Sequence, residues 1–217
     1  MAASAILFIT IALLNSIRLS LAFDPRPLQD ICVAPTLGLA TTSTCKDPRL
    51  VTANDFYMTG LNRPRPYNPY GVAFTVASVA TTPGFNTQGQ TLIYAEFEPN
   101  GIAPPHIHPR ASEIIYVIEG SVEVGFVTSF PDYKYYSKVI KRGDVFLLPV
   151  GLVHTVRNVA RGKSITTVSL NSQNPGFIFL PDSLYAAKPP INTSYLARAS
   201  KLDENTVKDL QTKMWFA

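Results

Sequence analysis

Histidine is scarce in this sequence, and so are cysteine, methionine and tryptophan: three, two, three and one among 217 residues. Charge is thin as well, with Asp, Glu, Lys and Arg at 16%, against about 25% in an average globular chain. The net charge is +4, and no cluster of Lys or Arg concentrates it. A nucleic-acid footprint needs such a stripe or patch, so no nucleic-acid partner is expected. A diffuse attraction for anions is all that this charge supports. No apolar run approaches the roughly 20 residues of a membrane span. Phosphate-cradling loops, dinucleotide-binding glycine patterns and nucleophile elbows are missing, and no repeat or low-complexity segment occurs. Cys32 and Cys45 are too far apart for a CxxC redox or zinc motif.

What is present points to β structure. Aromatics make up 11% of the chain, and 18 prolines break it often. The length suits one domain with a sizeable core. Residues 5–14 form an apolar run ended by Asn15, and Ser20-Leu21-Ala22 follows with small side chains at the places of a cleavage site. Residues 1–22 therefore read as a secretory signal peptide and 23–217 as the mature chain; the alternative is an apolar helix of the folded domain. In a secreted chain, two cysteines favour one Cys32–Cys45 disulfide over two buried free thiols. The closed loop of about 14 residues would contribute about 3 kcal/mol.

Residues 23–69 show many prolines and polar turns and read as a long N-terminal arm pinned by that disulfide. From Tyr70 on, apolar runs of strand length alternate with Gly, Pro, Asn and Asp. Candidate strands cover 72–80, 91–98, 113–119, 121–128, 134–141, 144–148, 154–158 and 164–171, with a short one at 177–180. Strands so short and evenly spaced, with no helix between them, indicate an all-β sandwich or barrel. Helical periodicity appears only at 191–200 and 203–216. Asp203 is placed to cap the second segment, and Val207, Leu210 and Met214 share one face of it. That face packs either on its own barrel or on another subunit.

All three histidines fall in two segments punctuated by Gly and Pro. The first runs from Gly101 through His106, His108 and Pro109 to Glu113. The second runs from Gly143 through Pro149 and Gly151 to His154 and Asn158. In an extended chain alternate side chains share a face, so His106 and His108 point the same way. A turn over 109–112 brings Glu113 to the same point at the start of a strand, and His154 begins another strand after a Pro–Gly turn. A lone His-x-His is a weak signal. Three imidazoles and a carboxylate, with no histidine used elsewhere, predict one divalent metal site. Mixed imidazole and carboxylate donors suit manganese, iron, nickel, copper or zinc. Zinc prefers four-coordination, and the lack of a thiolate argues against cuprous copper.

Other features have plainer readings. Arg142-Gly143-Asp144 is a turn opening a strand rather than an adhesion motif. Tyr133, Tyr135 and Tyr136 face solvent or a subunit contact rather than the metal. Asn192-Thr193-Ser194 is an N-glycosylation acceptor pattern or, equally, a helix cap.

The segments HIHPRASEI and RGDVFLLPVGLVH resemble the two boxes of the cupin superfamily and, more narrowly, the germins and germin-like proteins of plants. PLQDICVA, the cysteine pair and Leu170-NSQNPG-Phe177 are similar to that family too, and the likeness spans nearly all of 23–217. Gly120, Gly143, Pro149, Gly151 and Asn158 fit the pattern. Asn100 stands where the pattern has its first Gly, and Gly101 follows it. The resemblance implies a manganese-binding jelly-roll β-barrel over about 60–208, with a small C-terminal helical segment and an N-terminal arm. It also implies a homo-oligomer, a hexamer built as a trimer of dimers, in the apoplast or cell wall. Germins oxidise oxalate, and two asparagines and a glutamine of theirs near the metal correspond here to Ile93, Ala103 and Val156. A dicarboxylate needs donors that these side chains lack. The resemblance therefore implies superoxide dismutation, with a small anion or superoxide as partner at the metal, rather than oxalate oxidation. A non-catalytic structural or ligand-binding role in the wall is the alternative.

Overall fold

The computed structural model describes residues 29–35 and 44–213. Residues 1–22, expected to form a signal peptide, and Met214 lie outside the described residues. Among the described residues, ten strands form two five-stranded antiparallel sheets, ordered β1-β2-β9-β4-β7 and β10-β3-β8-β5-β6. The strands are β1 (Val72–Ala77), β2 (Thr91–Phe97), β3 (Ile102–Ile107), β4 (Glu113–Glu119), β5 (Ser121–Val127), β6 (Tyr135–Lys141), β7 (Val145–Leu148), β8 (Val153–Asn158), β9 (Ser164–Leu170) and β10 (Ile178–Phe179).

Period-two alternation places the core. Along β2 every second residue, from Thr91 to Phe97, is buried. Along β4, Glu113, Ile115 and Val117 point inward while Ile114 and Tyr116 point out. Ile93, Ile115 and Val168 meet through the β2–β9 and β4–β9 registers. With Val122, Val124, Ile140 and Leu148 they belong to one apolar core between the sheets. Burying a side chain of this size stabilises the fold by about 1.5–3 kcal/mol.

The expected strands are present with shifted ends: the 72–80 segment stops at Ala77, and Ser78 to Thr81 form a turn. One strand lies beyond those expectations. Pro104 and Pro105 argue against a strand at 102–107, yet β3 forms there. A register shift between Ala103 and His106 sits at the two prolines, and β10 flanks β3 only at His106 and Ile107. The missing proline N–H groups therefore cost few ladder bonds. The short strand expected at 177–180 shrinks to two residues and runs into an unexpected helix, α1 (Leu180–Tyr185).

The helices α2 (Thr193–Ser200) and α3 (Glu204–Thr212) are capped by Asn192, whose Oδ1 accepts from Tyr195 N, and by Asp203, which accepts from Thr206 N. Val207 packs with Leu196 and Ala197 in a second, small apolar cluster that includes Tyr185 and Ile191. The face carrying Val207 thus packs within its own subunit. The arm is pinned as expected by the Cys32–Cys45 disulfide. Asn86 Nδ2 donates to Cys32 O at 2.9 Å and Ala34 N to Pro83 O at 3.1 Å, which hold the arm on the barrel. Among the described residues no helix is long and apolar enough to cross a membrane.

Candidate metal centre

Two turns and two sheets converge on one end of the barrel. His106 on β3 and His154 on β8 are direct cross-strand partners. His108 follows β3, and its carbonyl accepts from Gly151 N at 3.1 Å, which ties the first histidine segment to the second. Glu113 opens β4 in the opposite sheet. Ring centroids of the histidines lie 4.1–5.2 Å apart. One donor atom from each of His106, His108, Glu113 and His154 lies within 4.8 Å of the others, and all four side chains are buried.

The hydrogen bonds around the imidazoles decide what these atoms can do. Each Nδ1 faces a backbone carbonyl: His106 that of Pro104 at 2.7 Å, His108 that of Gly176 at 2.7 Å and His154 that of Leu152 at 2.8 Å. A carbonyl only accepts, so each Nδ1 carries the proton and each Nε2 of a neutral ring presents a bare lone pair. Glu113 Oε2 lies 2.8 Å from His108 Nε2 and 3.4 Å from His154 Nε2. Neither Glu113 Oε2 nor His154 Nε2 has a hydrogen-bond partner. Lone pairs facing one another in a buried site repel unless a cation lies among them. The donor set therefore fits a divalent ion, with carbonyls orienting the ligand rings from behind.

Charge tells the same story. Burial, aided by the neighbouring His154, pushes His106 down to about 3. Burial works against ionisation of Glu113, but N–H donation from His108 and His154, when those rings carry a second proton, outweighs it and holds the carboxyl at about 2; a metal ion would take the place of those protons. Neutral imidazoles and an ionised carboxylate are the state that a metal requires.

Three of the four donors, His106, His108 and Glu113, form one end of a cavity of about 290 Å³. Ile93, Ala103 and Val156 all line it, and Thr166 is the one polar wall residue beyond those three donors. Phe74 and Phe177, 42% and 45% exposed, belong to its wall together with Phe179. Phe177 meets His108 edge-on at 4.3 Å between centroids. Sequence patterns did not single out Gly176, Phe177 or Phe179 as site residues. The Gly176 contribution is a backbone carbonyl, which no residue type advertises.

Other residues have structural uses. Asn158 is buried and donates to Phe97 O, Glu98 O and Gly162 O while accepting from Ala160 N and Ser164 Oγ. Asn100 has φ +65°, which explains how it replaces a glycine: Asn tolerates the left-handed region better than most residues. Arg142-Gly143-Asp144 is the turn expected, with Asp144 Oδ2 accepting from Lys141 N at 2.9 Å. Tyr133, Tyr135 and Tyr136 are exposed and outside the cavity wall.

The cupin family matches residues 59–208. Putative germin-like protein subfamily 1 member 12 of Arabidopsis thaliana is 41% identical over 215 residues, covering 96% of each chain. Germin-like protein 8-11 of Oryza sativa subsp. japonica is 40% identical over 219 residues, covering 99% of this chain and 98% of its own. Among solved structures, recombinant oxalate oxidase in complex with glycolate superimposes with a TM-score of 0.82 at 39% identity, over 87% of this chain and 96% of that one. With relatives of this identity along almost its whole length, the chain belongs to the germin-like proteins of the cupin family.

Proposed function

We propose that this chain is a secreted manganese protein of the plant apoplast or cell wall that disproportionates superoxide, acts in stress or defence, and does not oxidise oxalate. The observation that carries this reading is the pairing of four convergent metal donors with apolar side chains at Ile93, Ala103 and Val156. A manganese ion held by His106, His108, Glu113 and His154 would supply one-electron cycling at an anion-accessible position. Two superoxide ions and two protons then give dioxygen and hydrogen peroxide.

The chain's own part is to hold and to exclude. Three carbonyls fix the imidazole tautomers, and the single carboxylate leaves a divalent site with net positive charge that attracts a small anion. Apart from Thr166, the wall opposite the donors offers a dicarboxylate no side-chain hydrogen-bond donor for its far oxygens.

The Cys32–Cys45 disulfide and the 1–22 segment support secretion. Ile114 and Tyr116 on β4 pair across the strand with Leu147 and Val145 on β7, all four with exposed side chains. Such an apolar face supports the homo-oligomer, a hexamer by family resemblance. Asn192 is exposed, and its cap uses Oδ1, which supports Asn192 as a glycosylation acceptor.

The cavity volume favours one second reading. Superoxide needs only a small part of about 290 Å³, so a non-catalytic role in binding a small apolar ligand also fits. The deciding measurement is superoxide consumption per bound metal ion on secreted, manganese-loaded protein. A fast rate that disappears in His106→Ala supports the enzyme. A rate no greater than that of free manganese at full occupancy overturns it in favour of the binding role.

A further inference from the structure

The segment from Asn171 to Phe179 crosses the metal end of the barrel as a strap. Its Gly176 carbonyl accepts from His108 Nδ1. The strap is fastened at several points: Ser112 N donates to Asn171 Oδ1 at 2.8 Å, Thr91 Oγ1 to Ser172 O at 2.8 Å and Arg110 N to Pro175 O at 3.2 Å. Beyond Gly176, β10 joins β3. One side chain adds a clasp. Arg110 Nε donates to Asn174 O at 2.7 Å, and its Nη2 donates to Asn174 Oδ1 at 3.0 Å.

The approach is close. Gly176 has φ +71°, and a Cβ there would lie 2.9 Å from Arg110 Nη2 and 3.0 Å from Pro109 Cγ. Only glycine lets the strap lie against Pro109 and Arg110 at this point. The guanidinium thus spans strap and turn just where the strap delivers its carbonyl to a buried ring.

We infer that Arg110 is a positioning residue for His108: by clasping Asn174 it holds the Gly176 carbonyl on His108 Nδ1 and so slows the loss of the bound metal. The inference rests on the metal reading of the four donors. A carbonyl behind a ligand ring fixes its tautomer, aims its Nε2 and raises its basicity, and loss of such partners weakens metal binding about 10- to 100-fold. Arg110 acts one contact further out, and the backbone fastenings survive its removal. The expected effect is therefore smaller, about fivefold. Lysine lacks the planar fork that reaches both Asn174 atoms, so it would restore only part of it.

The test compares the mature full-length protein with Arg110→Ala, Arg110→Lys and Gly176→Ala. Manganese-loaded samples are mixed with excess chelator, and metal release is followed by paramagnetic resonance. Ring-nitrogen spectra of the metal-free proteins report the His108 tautomer independently. Expected are release about fivefold faster in Arg110→Ala, an intermediate rate in Arg110→Lys and the fastest in Gly176→Ala. With these rates, His108 loses its single Nδ1–H form in Arg110→Ala while the melting temperature of the metal-free barrel holds. Release at the parent rate with an unchanged tautomer overturns the inference. If the parent protein holds no metal, the metal reading itself fails. The clasp is then decided on the tautomer alone: an Nδ1–H form that persists in Arg110→Ala overturns it.

Discussion

The two walls of the cavity are built on different principles. One wall is His106, His108 and Glu113, backed by His154, where every imidazole Nδ1 is held by a carbonyl. The other includes Ile93, Ala95, Ala103, Val156 and Val168, ordinary core side chains brought together by strand register. The first wall carries the donors that fit a metal ion. The second decides what can sit beside it. A protein can therefore keep its donor cluster intact while its choice of substrate changes, because the two walls are built from different side chains.

The largest effect is expected on the polar wall. Glu113→Gln removes the one negative charge among the donors and should weaken manganese binding by more than the roughly 100-fold upper range of outer-shell changes. A titration against a fluorescent chelator measures this, and retention of parent affinity would show that the charge of Glu113 is dispensable.

The apolar wall should respond differently. Ile93→Asn combined with Ala103→Asn supplies two amide donors facing the cavity. Hydrogen bonds to charged groups contribute about 1.5–3 kcal/mol, so oxalate should bind the zinc-loaded variant at least about tenfold more tightly than the parent by calorimetry. Metal affinity should stay unchanged. A variant that gains oxalate only by losing metal would contradict the separation of the walls.

Of the two walls, acid acts on the polar one. Burial lowers His106 from 6.5 to about 3, and His108 and His154, when protonated, lower Glu113 from 4.5 to about 2. Below pH 6.5 the unfolded chain takes up a proton that folded His106 refuses, and below 4.5 the same holds for Glu113. Stability of the metal-free protein should thus fall as pH drops from about 6.5 to 3, by at most about 1.4 kcal/mol per pH unit for each proton. Thermal melting across this range checks the sign. His106→Ala should flatten the upper part of the slope.

The same contrast explains what could be read in advance. Histidine is so rare that three of them in two punctuated segments leave little choice of site. Alternation along β2, β4 and β9 was legible because one face of each strand is buried. β3 was hidden by Pro104 and Pro105, whose cost is absorbed by the register shift and the nearly open edge. α1 was hidden because its six residues are too few to show a helical period. Asp203 was readable as a cap because its side chain works within one turn of its own position.

By itself the sequence determined the candidate metal donors, the cysteine pair, the alternating strands and the Asp203 cap. These rest on rare residue types or on neighbours a few positions apart. The tertiary structure alone decided that Ile93, Ala103 and Val156 share one wall, that the Gly176 carbonyl meets His108 and that Arg110 clasps Asn174. Those contacts join segments more than fifty residues apart or use backbone atoms that every residue carries. Only the antiparallel registers and the path of the strap bring them together.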